Sequence, residues 1–262
     1  MEMKLQLPIP GGYSLGGLLH IATEAARSAG QILRQRYGKP HDITKKGVVN
    51  LVTEADLAAE HAIIGLLNQK TPDIAIMAEE QADSHSLDHT CAMWVVDPLD
   101  GTTNFAHGFP FFAVSIALLQ QGQPLVGVVY APLLEELFSA QRGAGAMLTE
   151  ALIEALVATG FPYERKTRLP AIMQHLRQVL DHAQDVRRGG SAAIDLAYVA
   201  CGRLDAYYEV QLNPWDTAAG WLLVTEAGGT VSGMDGSVYS PFIPHIFASN
   251  GKVHTSLLQL LQ

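Results

Sequence analysis

Apolar side chains recur at helical spacing in several parts of the chain. Between Leu15 and Tyr37 they return every three or four residues, Ser14 is a suitable N-cap, and Gly38 and Pro40 mark the end. The same spacing predicts further helices over about 54–68, 169–183, 192–201, 218–227 and 253–261. Helices are therefore expected in both halves of the chain.

Short apolar runs between these segments indicate β-strands. The runs cover 74–78, 93–96, 112–119, 124–130, 136–140, 206–209, 230–231 and 246–248, and the polar stretch 120–123 between two of them predicts a hairpin. Strands mixed with helices over this length predict an α/β fold, an α+β layered sandwich. Since no low-complexity break separates the halves, we expect one domain over 1–262, with lobes of about 1–150 and 151–262.

Composition narrows the class of protein. Hydrophobic residues make up 48% of the chain, and 17 Lys and Arg against 26 Asp and Glu give a net charge of −9. An acidic surface repels phosphodiester backbones, so direct nucleic-acid binding is not expected. Two cysteines, Cys91 and Cys201, cannot form a disulfide framework, and Cys201 is expected in the core. With no apolar run long enough for a membrane span and no leader pattern, we expect a cytoplasmic protein.

Two carboxylates follow the apolar run at 93–96. Asp97 ends the run, Asp100 comes three residues later, and Pro98 between them prevents a simple helical continuation. The backbone carbonyl of Leu99 lies between the two, and a hard cation accepts such an oxygen as readily as a carboxylate. The alternative is a turn, because Asp and Gly are common turn residues and an isolated Asp-x-x-Asp-Gly is more often structural.

The next two residues suit an anion beside that cation. Gly101 allows close approach of a ligand, Thr102 supplies a hydroxyl, and a short helix starting here would present free amides. Metal-assisted phosphate-ester chemistry needs cations to neutralise phosphoryl oxygens and donors to hold the transferred group. The pattern is therefore compatible with a phosphate site next to a metal site.

Other carboxylates also follow apolar segments. Asp56 comes after the run at 51–53, Glu79 and Glu80 end the run at 74–78, and Asp216 stands at the mouth of a helix. Asp56 and Asp216 have the alternative of first-turn residues that favour the helix dipole, and the glutamates that of a solvated loop. Spacing alone does not establish that these groups meet.

The run Asp97–Phe105 resembles the signature of the inositol monophosphatase family. Further stretches resemble the family in the same order along about 15–251, namely 51–56, 78–80, 107–110, 113–118, 190–193, 205–209, 215–220 and 226–229. The resemblance implies the sugar-phosphatase fold of alternating helix and sheet layers. It also implies a Mg²⁺-dependent, Li⁺-sensitive phosphomonoesterase that acts on a small-molecule phosphate monoester.

The resemblance implies which residues hold two or three Mg²⁺ ions. Glu79, Asp97 and the Leu99 carbonyl would hold one ion, while Asp97, Asp100 and Asp216 would hold a second. Glu79 would share a third, looser ion.

Catalytic and substrate-binding residues are implied in the same way. The catalytic residues are Thr102, Asp56 and Glu79, with Thr102 backed by Asp56, directly or through Thr53, to orient and deprotonate the attacking water. The implied substrate contacts are the amides of Gly101 and Thr102 for phosphate, and Gly190, Ser191, Ala192, Glu209 and Asp216 for the alcohol. His107, near the phosphate loop, could reach the substrate; a turn histidine is the alternative.

The substrate implied by the resemblance is inositol 1-phosphate, because related branches tend to carry Lys at the position of Thr103. Fructose 1,6-bisphosphate, histidinol phosphate, NADP and 3′-phosphoadenosine 5′-phosphate remain alternatives. So does a regulatory protein-binding role on the same fold. Relatives are commonly dimers, so a homodimer is expected.

Two departures from the family pattern stand out. Asn50 replaces the usual Asp before the early motif, which leaves the role of Lys45 open. The segment 143–156 looks shorter than in relatives, where a further strand is usual. The proposed catalytic positions lie outside this shortened segment.

Overall fold

A computed structural model describes residues 10–39, 43–45, 51–80, 91–143, 154–163 and 166–261. After a short 3-10 turn at Pro10–Gly12, the helices are α1 (Leu15–Arg36), α2 (Glu54–Lys70), α3 (Thr102–Ala106), α4 (Leu169–Leu180), α5 (Ala192–Ala200), α6 (Pro214–Glu226) and α7 (His254–Leu261). The strands are β1 (Ile43–Lys45), β2 (Leu51–Thr53), β3 (Ala75–Ala78), β4 (Met93–Asp100), β5 (Ala113–Gln120), β6 (Gln123–Ala131), β7 (Glu136–Gln141), β8 (Leu156–Thr159), β9 (Asp185–Arg187), β10 (Ala206–Val210), β11 (Thr230–Ser232) and β12 (His245–Ser249). Among these described residues, no helix is both long and apolar enough to cross a membrane.

The strands form two five-stranded sheets and a small antiparallel pair, β1–β2. The first sheet has the order β3-β4-β5-β6-β7 and is antiparallel except where β3 runs parallel to β4. The second has the order β11-β12-β10-β8-β9, in which β8 runs parallel to both β9 and β10. The two sheets therefore mix short hairpins with longer crossover connections.

Helices and sheets alternate in five layers. Helices α1 and α2 cover one face of the first sheet, and α5 and α6 pack on its other face. The second sheet lies on the far side of α5 and α6, and its outer face is covered by α4 and α7. Each sheet is thus covered on both faces by helices, as the near-continuous apolar strands require. The predicted layered sandwich is confirmed.

The middle helical layer sits very close to the first sheet. A Cβ atom at Gly127 of β6 would lie 2.8 Å from the carbonyl oxygen of Ala219 in α6. On the neighbouring strand, the hydroxyl of Ser115 donates to the carbonyl of Trp215, 3.1 Å away. The Ser115 contact holds the first turn of α6 close to Asp97, the β4 residue opposite Ser115.

Most predicted elements are confirmed, with differences at their ends. Ser14 caps α1 through a hydrogen bond from the Gly17 amide. Helix α6 begins at Pro214, four residues earlier than predicted, because the Asp216 side chain accepts the amide of Asn213 and closes the first turn. Strands β1, β2, β8 and β9 were not predicted, since three or four residues are too few to show a period.

One core prediction is wrong. Cys201 is exposed, because the α5 helix ends at Ala200 and the chain turns outward there. The division into one domain with two lobes stays a prediction, as does the shortened segment, of which 144–153 lie outside the described residues.

Candidate active site

Three aspartates from distant parts of the chain meet at one point. Asp97 and Asp100 lie on either side of an irregularity in β4, and Asp216 lies in the first turn of α6. One carboxylate oxygen of each lies within 4.8 Å of the others. Oxygen donors this close together suit a hard divalent cation, so the group could hold a metal.

Burial and the charges of neighbouring carboxylates raise the pKa values of Asp97 and Asp216. The pKa of Asp97 lies well above its ordinary value because of desolvation, with the charges of Glu79, Asp100 and Asp216 adding to the shift. Desolvation and the Glu79 charge act on the pKa of Asp216 in the same direction. A bound cation would relieve this repulsion, which is a second reason why the residues fit a metal.

Asp100 is anchored by the helix that follows β9. The Ser191 hydroxyl and the Ala193 amide both donate to its Oδ2, at 2.6 and 2.7 Å. Burial raises the pKa of Asp100 to about 6, and these two donors keep the pKa from rising further. Ser191 is 1% exposed and also caps α5, so its hydroxyl serves the aspartate and the helix.

Thr102 shares its hydroxyl between two acceptors. Its Oγ1 lies 3.1 Å from Asp56 Oδ1 and 3.0 Å from the Leu99 carbonyl. One hydroxyl proton can serve only one acceptor at a time. When Thr102 donates its hydrogen bond to Asp56, its lone pairs are left to accept a hydrogen bond from a donor in the pocket.

Glu79 stands beside the three aspartates. It follows β3, and its amide donates to the Val96 carbonyl at 3.1 Å, which extends the pairing of β3 with β4. The charge of Glu79 raises the pKa values of Asp97 and Asp216. The neighbouring Glu80 contacts α2 instead, because its backbone amide donates to Glu60 Oε2 at 2.8 Å.

A pocket of 480 Å³ opens from the aspartates. Ten of the predicted site residues line it, namely Glu79, Asp97, Leu99, Asp100, Gly101, Thr102, Gly190, Ala192, Glu209 and Asp216. Asp56 and Ser191 do not line it but stand behind Thr102 and Asp100, to which they are hydrogen-bonded. His107, considered from the sequence, is also part of the lining.

Several pocket residues escaped the sequence reasoning. They are Phe161, Pro162 and Tyr163 after β8, Arg188 after β9, and Gln211–Asn213 after β10. The Arg188 guanidinium lies 5.7 Å from the ring centroid of Phe161. Burial and the four acidic charges raise the pKa of Tyr163 to about 12. Their position after strands was the available signal. For 161–163 and Arg188 it could not be used because β8 and β9 were not predicted, whereas 211–213 follow the predicted strand at 206–209.

One side chain ties the two halves of the pocket together. The Asn104 amide of α3 donates to the carbonyls of Phe111 and Gly189, at 2.6 and 3.0 Å. Gly190, next in the chain, has φ +88°, a conformation that favours glycine. The roles of Lys45 and Asn50 stay open, because the Lys45 side chain and all of Asn50 lie outside the described residues.

Comparison with known proteins gives a consistent result. The model of the inositol monophosphatase family matches residues 16–262. An inositol-1-monophosphatase of Synechocystis sp. is 45% identical over 98% of this chain and 92% of its own length. The Nus factor SuhB of Escherichia coli K12 is 41% identical over 92% of this chain and 94% of its own.

Solved structures agree with the sequences. The extragenic suppressor protein suhB of Bartonella henselae superposes with a TM-score of 0.86 at 37% identity, covering 94% of this chain and 98% of its own. An inositol monophosphatase from Anabaena (Nostoc) sp. gives 0.83 at 38% identity, covering 94% and 96%. The chain therefore belongs to the inositol monophosphatase family and is a phosphatase.

Proposed function

We propose that this phosphatase hydrolyses inositol 1-phosphate to inositol and phosphate with the help of Mg²⁺. The observation that carries the proposal is the group of Asp97, Asp100 and Asp216 at one end of a pocket that has Glu209 on another wall. The carboxylate oxygens of the aspartates are suitable ligands for the divalent metals that bind phosphate. The Glu209 carboxylate can accept hydrogen bonds from the hydroxyls of a polyol. The relatives named inositol-1-monophosphatase support this substrate.

Two or three Mg²⁺ ions are proposed at the acidic end. Glu79, Asp97 and the Leu99 carbonyl would hold one ion. Asp97, Asp100 and Asp216 would hold a second, and Glu79 would also be a ligand of a third. When bound, such ions neutralise phosphoryl oxygens, activate water and stabilise the leaving alkoxide. Carboxylates and a backbone carbonyl are the donor set that Mg²⁺ prefers.

The chain's own part in the reaction centres on Thr102. With its proton donated to Asp56, Thr102 accepts a hydrogen bond from the attacking water and aims it at phosphorus. The proton lost by the water can pass through Thr102 to Asp56, which is 1% exposed and so is shielded from solvent. We propose direct attack by water, because the aspartates that could act as nucleophiles are assigned to metals.

The substrate would lie across the pocket between two walls. The amides of Gly101 and Thr102 are proposed to hold the phosphate. Gly190, Ala192, Glu209 and Asp216 are proposed to contact the alcohol. Ser191 is proposed to affect alcohol binding only indirectly, by holding Asp100, because the Ser191 hydroxyl already donates to that carboxylate.

The test is phosphate release from inositol 1-phosphate after removal of divalent metal and after return of Mg²⁺. We expect turnover only with Mg²⁺, and loss of at least a hundredfold in kcat in Asp97→Asn. Asp181→Asn, which changes an exposed carboxylate of the same type outside the pocket, is the matched control and should keep full activity. Mg²⁺-independent turnover, or an unimpaired Asp97→Asn, would refute the metal assignment.

Substrate choice is decided in the same assay. Fructose 1,6-bisphosphate, histidinol phosphate, NADP and 3′-phosphoadenosine 5′-phosphate are run beside inositol 1-phosphate. A higher kcat/KM for one of them would keep the chemistry and replace the substrate.

A protein-binding role is a second candidate, favoured by the 41% identical relatives named Nus factor SuhB. Asp97→Asn separates the two functions, because it removes a proposed metal ligand without altering the outer surface. A cellular role that survives this substitution would favour the binding function; one that is lost would favour the enzyme.

We propose further that the protein is a single-domain, cytoplasmic homodimer inhibited by Li⁺. Sedimentation equilibrium tests the dimer, a single cooperative unfolding transition tests the domain, and cell fractionation tests the compartment. Loss of turnover in Li⁺ but not in K⁺ at equal ionic strength tests the inhibition.

A further inference from the structure

Tyr207 lies directly behind Glu209, a residue proposed to contact the substrate alcohol. Tyr207 and Glu209 are two residues apart on β10, so their side chains point to the same face of the sheet. Tyr207 is completely buried, and its hydroxyl donates to Glu209 Oε2. That contact leaves Glu209 Oε1 without a share in the Tyr207 bond.

Gly160 closes the other side of the same carboxylate. It follows β8, which runs parallel to β10 with Ala158 opposite Tyr207. A Cβ atom at Gly160 would overlap the Glu209 carboxylate, so the carboxylate packs directly against backbone. Tyr207 and Gly160 together restrict Glu209 to one orientation.

We propose that Tyr207 is a positioning residue, which holds Glu209 so that Oε1 accepts a hydroxyl of the substrate alcohol. It thereby favours polyol phosphates over esters whose alcohol lacks a hydroxyl near the phosphate. The inference rests on the proposed function, since it assigns Glu209 to the alcohol.

The groups that face Glu209 explain why a fixed donor matters. Burial raises the pKa of Glu209 to about 7, and the Asp100 charge on β4 adds to this rise. The Tyr207 hydroxyl and the Arg188 charge lower the pKa of Glu209. Asp195 of α5 and Asp216 of α6 also face Glu209, because burial raises the pKa values of both and the Glu209 charge adds to the rise. Without Tyr207, the pKa of Glu209 would rise further, and a protonated carboxyl is a weaker acceptor for a substrate hydroxyl than a carboxylate.

The kinetic test compares Tyr207→Phe with Tyr208→Phe as the matched control. Tyr208 is the next residue on β10, is also buried, and faces the opposite side of the sheet. In Tyr207→Phe we expect the KM for inositol 1-phosphate to rise about tenfold, as for a lost hydrogen bond to a charged group, while kcat changes little. The inhibition constant of inorganic phosphate, which has no alcohol part, should stay the same. Tyr208→Phe should change neither value.

A titration supplies a readout that does not need turnover. The pKa of Glu209 is measured by NMR on protein with ¹³C-labelled glutamate carboxyls, with Glu209→Gln to assign the signal. We expect the pKa of Glu209 to be higher in Tyr207→Phe than in the wild type. The KM, which rises as acidification protonates Glu209, should therefore begin to rise at a higher pH in the variant. A merely structural role of Tyr207 would not move these values.

The outcomes separate this inference from the proposed function. An unchanged Glu209 pKa, or equal effects on the KM and on phosphate inhibition, would overturn the positioning role while inositol 1-phosphate is still hydrolysed. A wild type that releases no phosphate from any polyol phosphate would overturn the proposed function and, with it, the assignment of Glu209 to the alcohol.

Discussion

The Thr102 hydroxyl is expected to contribute far more to the reaction than to stability. Thr102→Val keeps the shape of the side chain but removes the oxygen that lies 3.1 Å from Asp56 and 3.0 Å from the Leu99 carbonyl. The attacking water then loses its acceptor, and Asp56 loses the group through which a proton would reach it. The Leu99 carbonyl loses its donor but keeps its place in the strand.

The two effects differ in size. A positioned acid–base group contributes about 10²–10⁴-fold, so kcat should fall by at least a hundredfold. A buried acceptor left without its donor costs about 1–3 kcal/mol, so the free energy of unfolding should fall by that amount. The loss in kcat thus exceeds what a small loss of stability can explain at a temperature where the variant stays folded.

Two controls isolate the hydroxyl. Thr102→Ser restores an oxygen at the same place and should recover most of the lost kcat. Thr71→Val removes another buried hydroxyl, which donates to the Leu67 carbonyl, accepts from the Trp94 indole and is not part of the pocket lining. It should lose similar stability with no change in kcat.

The measurements are kcat for phosphate release at saturating substrate and Mg²⁺, and urea unfolding of each variant. A Thr102→Val protein that keeps kcat within about threefold of the wild type would contradict the reasoning. So would a Thr102→Ser protein that is as slow as the Val variant.

Three further predictions concern stability. The folded-state pKa of Asp100, about 6, exceeds the ordinary value of 3.8, so metal-free protein binds more protons when folded and should lose about 2 kcal/mol of stability as pH rises from 4 to 7. Thermal melts should show this loss in a chelator and not in excess Mg²⁺, and a flat profile in the chelator would contradict it. Arg203 donates to both carboxylate oxygens of Glu136, at 2.7 and 2.6 Å, but is half-exposed, so Arg203→Ala should cost no more than about 1 kcal/mol in urea unfolding and leave kcat unchanged. Gly127→Ala should cost about 1–3 kcal/mol, because its Cβ would press on the α6 backbone, whereas Gly65→Ala on the open face of α2 should gain about 1 kcal/mol; equal effects of the two on the melting temperature would count against this packing.

The local features of the site could be predicted from the sequence. Asp97, Leu99, Asp100 and Thr102 lie within six residues, so the turn that presents them is decided by Pro98 and the neighbouring strand. Long helices such as α1 were predicted almost to the residue, because apolar periodicity and capping act within a few turns.

Short strands were beyond the reach of the sequence. Strands β8 and β9 have four and three residues, and each depends on pairing with a strand far away in the chain. Phe161, Tyr163 and Arg188 follow these strands, so their place in the pocket could not be anticipated.

By itself, then, the sequence determined the helices, the apolar strands and, through its resemblance to one family, the residues that line the acidic end. The tertiary structure brings Asp216 to Asp97 and Asp100, as the family resemblance implies and spacing alone does not. Only the tertiary structure decided that Ser191 donates to Asp100 instead of lining the pocket. It alone placed Tyr207 and Gly160 around Glu209. The physical reason is range: capping, turns and periodicity act over a few residues, whereas these contacts join distant elements that meet only when helices and sheets pack into layers.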